Sequence, residues 1–159
     1  MDAALAIGRI VLVTMFIFSG LSKLLDISGT AAYIASTGLP FSELLAAGAG
    51  LVEITCGLLI VLGWQARLAA TGLIVFTAMA TVLFHDFWNL PSGGVRMNEM
   101  AHAWKNFSVI GGLMVLAAAG PGRWSVDGRA RSEEDGAGAV HPLYLPSSRG
   151  SRANRSMSG

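Results

Sequence analysis

Among the polar side chains in or beside apolar runs, those able to do chemistry are Arg9, Lys23, Glu53, His85, His102, Lys105 and Asn106. An ionisable group inside a bilayer costs several kcal/mol unless it is paired or hydrated, so each of these residues requires a partner. Glu53 makes the strongest demand, near the middle of "GAGLVEITCGLL", with Gly50 and Gly57 on the same helical face. Arg9 is its expected partner. Counted at 1.5 Å per residue, Arg9 sits about 9 Å and Glu53 about 15 Å from the same membrane surface, a gap that an arginine side chain bridges. Such a pair serves equally as a structural pin between two helices.

The remaining groups gather toward the opposite surface. Lys23 follows Arg9 by fourteen residues, which returns it to nearly the same helical face. There it either snorkels to the interface or turns inward. A stripe of Arg67, Thr71, Ile74, Ala78, Thr81 and His85 repeats close to every 3.6 residues and ends on His85. Asn98 is expected to cap a last helix, with Glu99 in its first turn and His102, Lys105 and Asn106 just inside. Lys23, His85, His102, Lys105 and Asn106 are thus expected to ring the outer mouth of a cavity above Glu53. Donors around an apolar cavity suit a quinone carbonyl or a small anion, and a histidine there can relay a proton. His85, Asp86, Glu99 and His102 lack a metal-ligand spacing, so no metal is assigned.

These residues need helices to carry them. The chain of 159 residues is 53% hydrophobic and 13% charged, with a mean hydropathy of +0.57. That composition belongs to a membrane protein. Four apolar segments, residues 3–25, 44–63, 67–84 and 102–119, approach the roughly 20 residues a helix needs to span hydrocarbon. The first also resembles a signal peptide, but no clean small-x-small cleavage site follows it and three further spans do. The expected fold is therefore all-α, a polytopic four-helix bundle. Trp64 and Trp124 fall at one end of it, and Trp88 and Trp104 at the other, as interfacial tryptophans should.

Arg67, Arg123, Arg129 and Arg131 mark one side of the membrane, facing Lys23, Arg96 and Lys105 on the other. The side richer in arginine is expected to be cytoplasmic, which places both termini there. "GPGRWSVDG" should end the fourth helix, because Pro121 lacks an amide hydrogen. Residues 1–127 then form the membrane domain, and residues 128–159 read as a disordered polar tail. No basic face of the kind that holds nucleic acid lies among the apolar runs. Cys56 is the single cysteine, so dithiol chemistry within one chain is excluded. No CxxCH, GxGxxG or P-loop is present.

The order "GRIVLVTMFIFSGLSKLLD", "GLPF", "LVEITCGLLIVLGWQARLAA", "FHDFW" and "KNFSVIGGLMVLAAAGPGRWSVD" resembles the DoxX family of small four-helix membrane proteins, across residues 5–127. The resemblance rests on Arg9, Gly20, Lys23, Glu53, Gly57, Arg67, His85 and the "GPGRWSVD" ending. It implies an inner-membrane protein similar to the membrane subunit associated with thiosulfate:quinone oxidoreductase, and to members of oxidative-stress and thiol-handling assemblies. On that reading quinone is the cofactor, and a partner redox protein supplies electrons that this chain cannot. Similar bundles include quinone reductases built on a cysteine pair, a mechanism that does not carry over to a chain with one cysteine. The alternative is a non-catalytic assembly or anchoring subunit, in contact with the lipid bilayer and with a partner or a second copy of itself. A small-solute transporter gains little support from short spans with no break near the midplane.

Overall fold

The computed structural model describes residues 2–139. It contains six helices and, among the described residues, no strand: α1 (Asp2–Leu25), α2 (Ile27–Ser36), α3 (Ser42–Leu62), α4 (Ala66–Phe84), α5 (Gly94–Ala119) and α6 (Val126–Ala139). The all-α expectation therefore holds. α1 packs most extensively on α3 and α4 on α5, with α3 against α4 joining the two pairs. Val13, Phe16, Ile60, Leu73 and Leu113 fill the shared core.

Outside this core the usual polarity of a protein is reversed. Val11 and Phe18 are each 68% exposed and Leu68 is 69% exposed, a surface that only lipid would leave unpenalised. α1, α3 and α4 are long and apolar enough to cross a membrane. α5 corresponds in position to the fourth expected span. Its 26 residues reach about 39 Å, but Arg96, Glu99, His102, Lys105 and Asn106 make its first half polar. For that reason three helices, not four, meet the criterion of length and apolarity together among the described residues.

Three boundaries differ from the sequence reading. Residues 26–43, lying between the first two expected spans with no helix assigned, contain α2. The Asp26 carboxylate accepts from the Gly29 amide at 2.9 Å, a side-chain cap that starts the helix, and Gly38 at φ 81° follows its end. Ala31 and Ile34 bury one face of α2 against Ala46 of α3. α5 begins at Gly94, about one turn before the expected Asn98 cap, because Met97 already donates to the Gly93 carbonyl at 3.1 Å. The segment from residue 128, expected to be disordered, starts inside α6, which runs to Ala139. The remainder of that tail lies outside the described residues.

The α3–α4 turn is short because Gly63 adopts φ 67°. The amides of Gly63 and Trp64 return to the Ile60 and Leu59 carbonyls at 3.1 and 2.9 Å, closing the helix through a left-handed residue. At the α1–α3 crossing the backbones touch. A Cβ at Gly20 would fall 2.7 Å from the Gly50 carbonyl oxygen and 2.8 Å from Ile54 Cγ1. Gly20→Ala is therefore expected to push α1 from α3 and to lower stability by about 1–3 kcal/mol. Thermal unfolding in detergent measures this, and an unchanged midpoint would contradict the close approach.

Candidate functional site

α1 and α3 meet through a polar lock. Lys23 Nζ lies 2.8 Å from Glu53 Oε2 and 3.1 Å from Oε1. It also donates to Ser19 Oγ at 2.5 Å, and Ser19 donates to Glu53 Oε1 at 3.3 Å. Gly20 and Gly50 create the room for this, since α1 can seat Ser19 and Lys23 against Glu53 only where the backbones approach. The Glu53 side chain is 6% exposed and that of Lys23 27%. A carboxylate this buried requires a cation, and Lys23 is that cation. The spacing of Ser19 and Lys23, four residues apart on one helix face, was the available sequence signal for this pair.

The expected Arg9–Glu53 pair does not form. Arg9 instead donates from Nη1 to the Pro121 carbonyl and from Nη2 to the Trp124 carbonyl, both at 2.5 Å. The reason is reach. Glu53 lies nine residues inside the end of α3, about 14 Å away, whereas the chain after α5 folds back directly over Arg9. Asp127 holds that return segment. Its carboxylate accepts from the Gln65 and Ala66 amides at 2.9 and 3.0 Å, capping the start of α4, and its own amide donates to the Gly63 carbonyl at 2.9 Å. "GPGRWSVD" is thus a clasp over the α3–α4 turn. Asp127, which the sequence reading assigned no role, is its fastener.

At the other end the expected ring divides. His85, the residue after α4, engages Glu99 of α5 through Nδ1 at 2.8 Å. Its ring stacks on that of His102, with centroids 5.3 Å apart and planes 10° from parallel. Lys105 Nζ lies 3.2 Å from His102 Nδ1 on an exposed surface. Asn106 turns inward and donates to Thr81 Oγ1 at 3.0 Å, and Thr81 donates to the Thr77 carbonyl at 2.7 Å. The Thr77 hydroxyl is buried without a partner among the described residues. Asp86 accepts from Asn89 at 3.0 Å and is no part of this cluster. Among the described residues no group of three His, Cys, Asp or Glu could hold a metal ion.

Between α2, α3 and α4 lies an apolar cavity of about 450 Å³. Leu45, Val52, Phe76, Met79 and Leu83 are among its walls, and Lys23, Glu53 and His85 supply its acidic and basic groups. His102, Lys105 and Asn106 do not line it. Tyr33 of α2, stacked on Phe84 with centroids 5.6 Å apart, contributes to the wall on the α2 side. The cavity could not be placed from sequence, because α2 forms one side of it and residues 26–43 had no helix assigned.

The DoxX family profile matches residues 4–86. Inner membrane protein YphA of Escherichia coli (strain K12) is 38% identical over 125 residues, covering 79% of this chain and 89% of its own. The chain belongs to the DoxX family. A second relative in the same organism, inner membrane protein YqjF, is 32% identical over 79% of this chain and 91% of its own. Membrane protein Rv3486 of Mycobacterium tuberculosis (strain ATCC 25618 / H37Rv) is 37% identical over 64% of this chain and 65% of its own. No solved structure matches significantly.

Family and fold together make this a membrane protein in contact with the bilayer. The residues on which the sequence resemblance rests separate into two groups of contacts. Gly20, Lys23, Glu53 and Gly57 build the α1–α3 lock, where a Cβ at Gly57 would meet Ile17 Cγ1 at 2.7 Å. Arg9, Arg67 and "GPGRWSVD" build the clasp, where a Cβ at Gly120 would meet the Arg67 guanidinium at 3.3 Å. His85 stands apart from both, on the cavity wall.

Proposed function

We propose that this DoxX protein is an inner-membrane subunit that binds a quinone between α2, α3 and α4 and works with a partner redox protein. The supporting observation is the apolar cavity of about 450 Å³ with Lys23, Glu53 and His85 as its acidic and basic lining. Its volume falls within the range of small-molecule sites. The donors of Lys23 are held by Glu53 and Ser19, so the pair gives the quinone end of the cavity its polarity, and the group free to meet a carbonyl is His85. Glu99 holds Nδ1 of His85, which leaves Nε2 to accept or return a proton when the quinone is reduced. The chain carries one cysteine, so the electrons come from a partner. The excess of arginine at the clasp end favours cytoplasmic termini, with the His85 end facing outward.

Quinone in the lipid extract of the purified protein, and a saturable isotherm with a short-chain quinone in detergent, are the expected results. His85→Asn should weaken that binding about tenfold, the loss of one hydrogen bond to a site with little water. A quinone-free extract together with no measurable isotherm would sink the proposal. The second reading, an anchoring subunit without a ligand, draws on the Lys23–Glu53–Ser19 lock, which satisfies its own polar groups. That reading fails if Glu53→Gln leaves expression and fold intact yet abolishes a quinone-dependent activity.

A further inference from the structure

The clasp end holds a second cavity, independent of the quinone reading. It has about 470 Å³ and a lining that mixes charged and apolar groups, bounded by the first residue described in α1, the Ala119–Arg123 turn and the first two turns of α6. Arg123, Arg131, Asp2 and Asp127 are its charged walls. Asp127 is committed, both carboxylate oxygens being taken by the Gln65 and Ala66 amides. Arg123, Arg131 and Asp2 have no ion-pair or side-chain hydrogen-bond partner among the described residues; the ion pairs are Lys23–Glu53 and His85–Glu99. Among the described residues, two guanidiniums and one carboxylate without a partner therefore share one opening.

Its position fixes the environment. The start of α1 and the end of α5 both border it, so it lies where the spans reach water, and Trp124, 62% exposed, marks an interface beside it. Val126 and Leu5, 50% and 40% exposed, extend an apolar surface from the same end of the bundle. Guanidiniums match phosphate oxygens through paired N–H donors. A carboxylate at the same opening disfavours a purely anionic ligand and favours one that carries a cation beside its phosphate. We infer that this cavity holds the head group of a zwitterionic phospholipid, with the phosphate diester on Arg123 and Arg131, the ammonium on Asp2 and the acyl chains along the apolar flank. A soluble phosphoethanolamine compound offers the same head-group chemistry without the chains, so the source must be tested along with the site.

The full chain in mild detergent is titrated separately with phosphatidylethanolamine and phosphatidylglycerol, and bound lipid is counted by native mass spectrometry. The wild type should prefer phosphatidylethanolamine by about fivefold, and R123Q/R131Q should bind both lipids about tenfold more weakly. D2N should keep phosphatidylglycerol and lose the preference. Undiminished binding by R123Q/R131Q, or an unchanged preference in D2N, overturns the assignment. Should the double variant unfold, R131Q alone replaces it, because Arg131 lies on the exposed side of α6; it must still lose binding of both lipids. Glycerophosphoethanolamine in equal amount should leave the lipid in place. If it displaces the lipid, the chains contribute nothing and the membrane is not the source.

Discussion

Lys23→Met is expected to destabilise the protein by about 3–5 kcal/mol, the range for removing one partner from a buried ion pair. The magnitude follows from what is left behind. Glu53 would keep its place under α1, 6% exposed, with only the Ser19 hydroxyl at 3.3 Å to answer it. Gly20 and Gly50 hold the two backbones in contact on one side of the pair, and the cavity on its other side is walled mainly by apolar residues, so little else is at hand to solvate the carboxylate. The double variant K23M/E53L removes both charges and should recover most of the loss, since a well-packed apolar pair of similar volume often equals a buried ion pair. Thermal unfolding in detergent of the two single variants and the double variant gives the coupling energy. Independent, additive losses would show that Lys23 and Glu53 do not depend on one another. The same set also separates lock from ligand site: a K23M/E53L protein that is stable but no longer takes up quinone would assign the pair a role beyond packing.

How much of this site could be read from the sequence depended on whether a partner was local. Glu53 stood out because a carboxylate in the middle of an apolar helix has few alternatives, and the glycines at positions 50 and 57 pointed its face inward. Which cation it meets was a question of three-dimensional reach. Arg9 and Lys23 share a helix face, and depth counted along the two helices favours Arg9; what overturns that is the return of residues 121–127 over Arg9 and the Gly20–Gly50 crossing that seats Lys23 on Glu53. That return consists of backbone carbonyls and one aspartate, groups with no periodic signal. His85 was legible as the end of the Arg67 stripe, and the structure puts the residue on the cavity wall. Glu99 was read as a first-turn residue of a helix starting at Asn98. With the true start at Gly94, Glu99 lies inside α5 and faces His85. α2 escaped notice because ten residues are too few to span and because its helix start depends on one side-chain cap. Its loss from the reading also removed one wall of the cavity.

Arg9→Met should open the clasp and destabilise the protein by about 3 kcal/mol, since hydrogen bonds to a charged group contribute about 1.5–3 kcal/mol each and the two here act together. Arg9 lies seven residues into α1, about 10 Å from its start, where a cation must be paired with something to remain. It is 6% exposed, and the carbonyls of Pro121 and Trp124 are its acceptors. Without the guanidinium, those carbonyls face the vacated space unpaired. Gly63 leaves no slack to absorb the change, since even a Cβ there would lie 3.2 Å from Arg9 Nη1. The effect should be local before it is global. Asp127 still caps α4 in the variant, so the segment between α5 and α6 loosens at Arg123 while the core around Val13 and Leu73 stays packed. Limited trypsin digestion reads this directly: cleavage after Arg123 should quicken about tenfold or more, as the open form gains population in proportion to the lost free energy. Arg9→Lys retains the charge but cannot reach two carbonyls with a planar fork, and should fall between the wild type and Arg9→Met. Equal cleavage rates in the wild type and both variants would mean that the clasp is held by Asp127 alone, and that the buried guanidinium is in place for some other purpose.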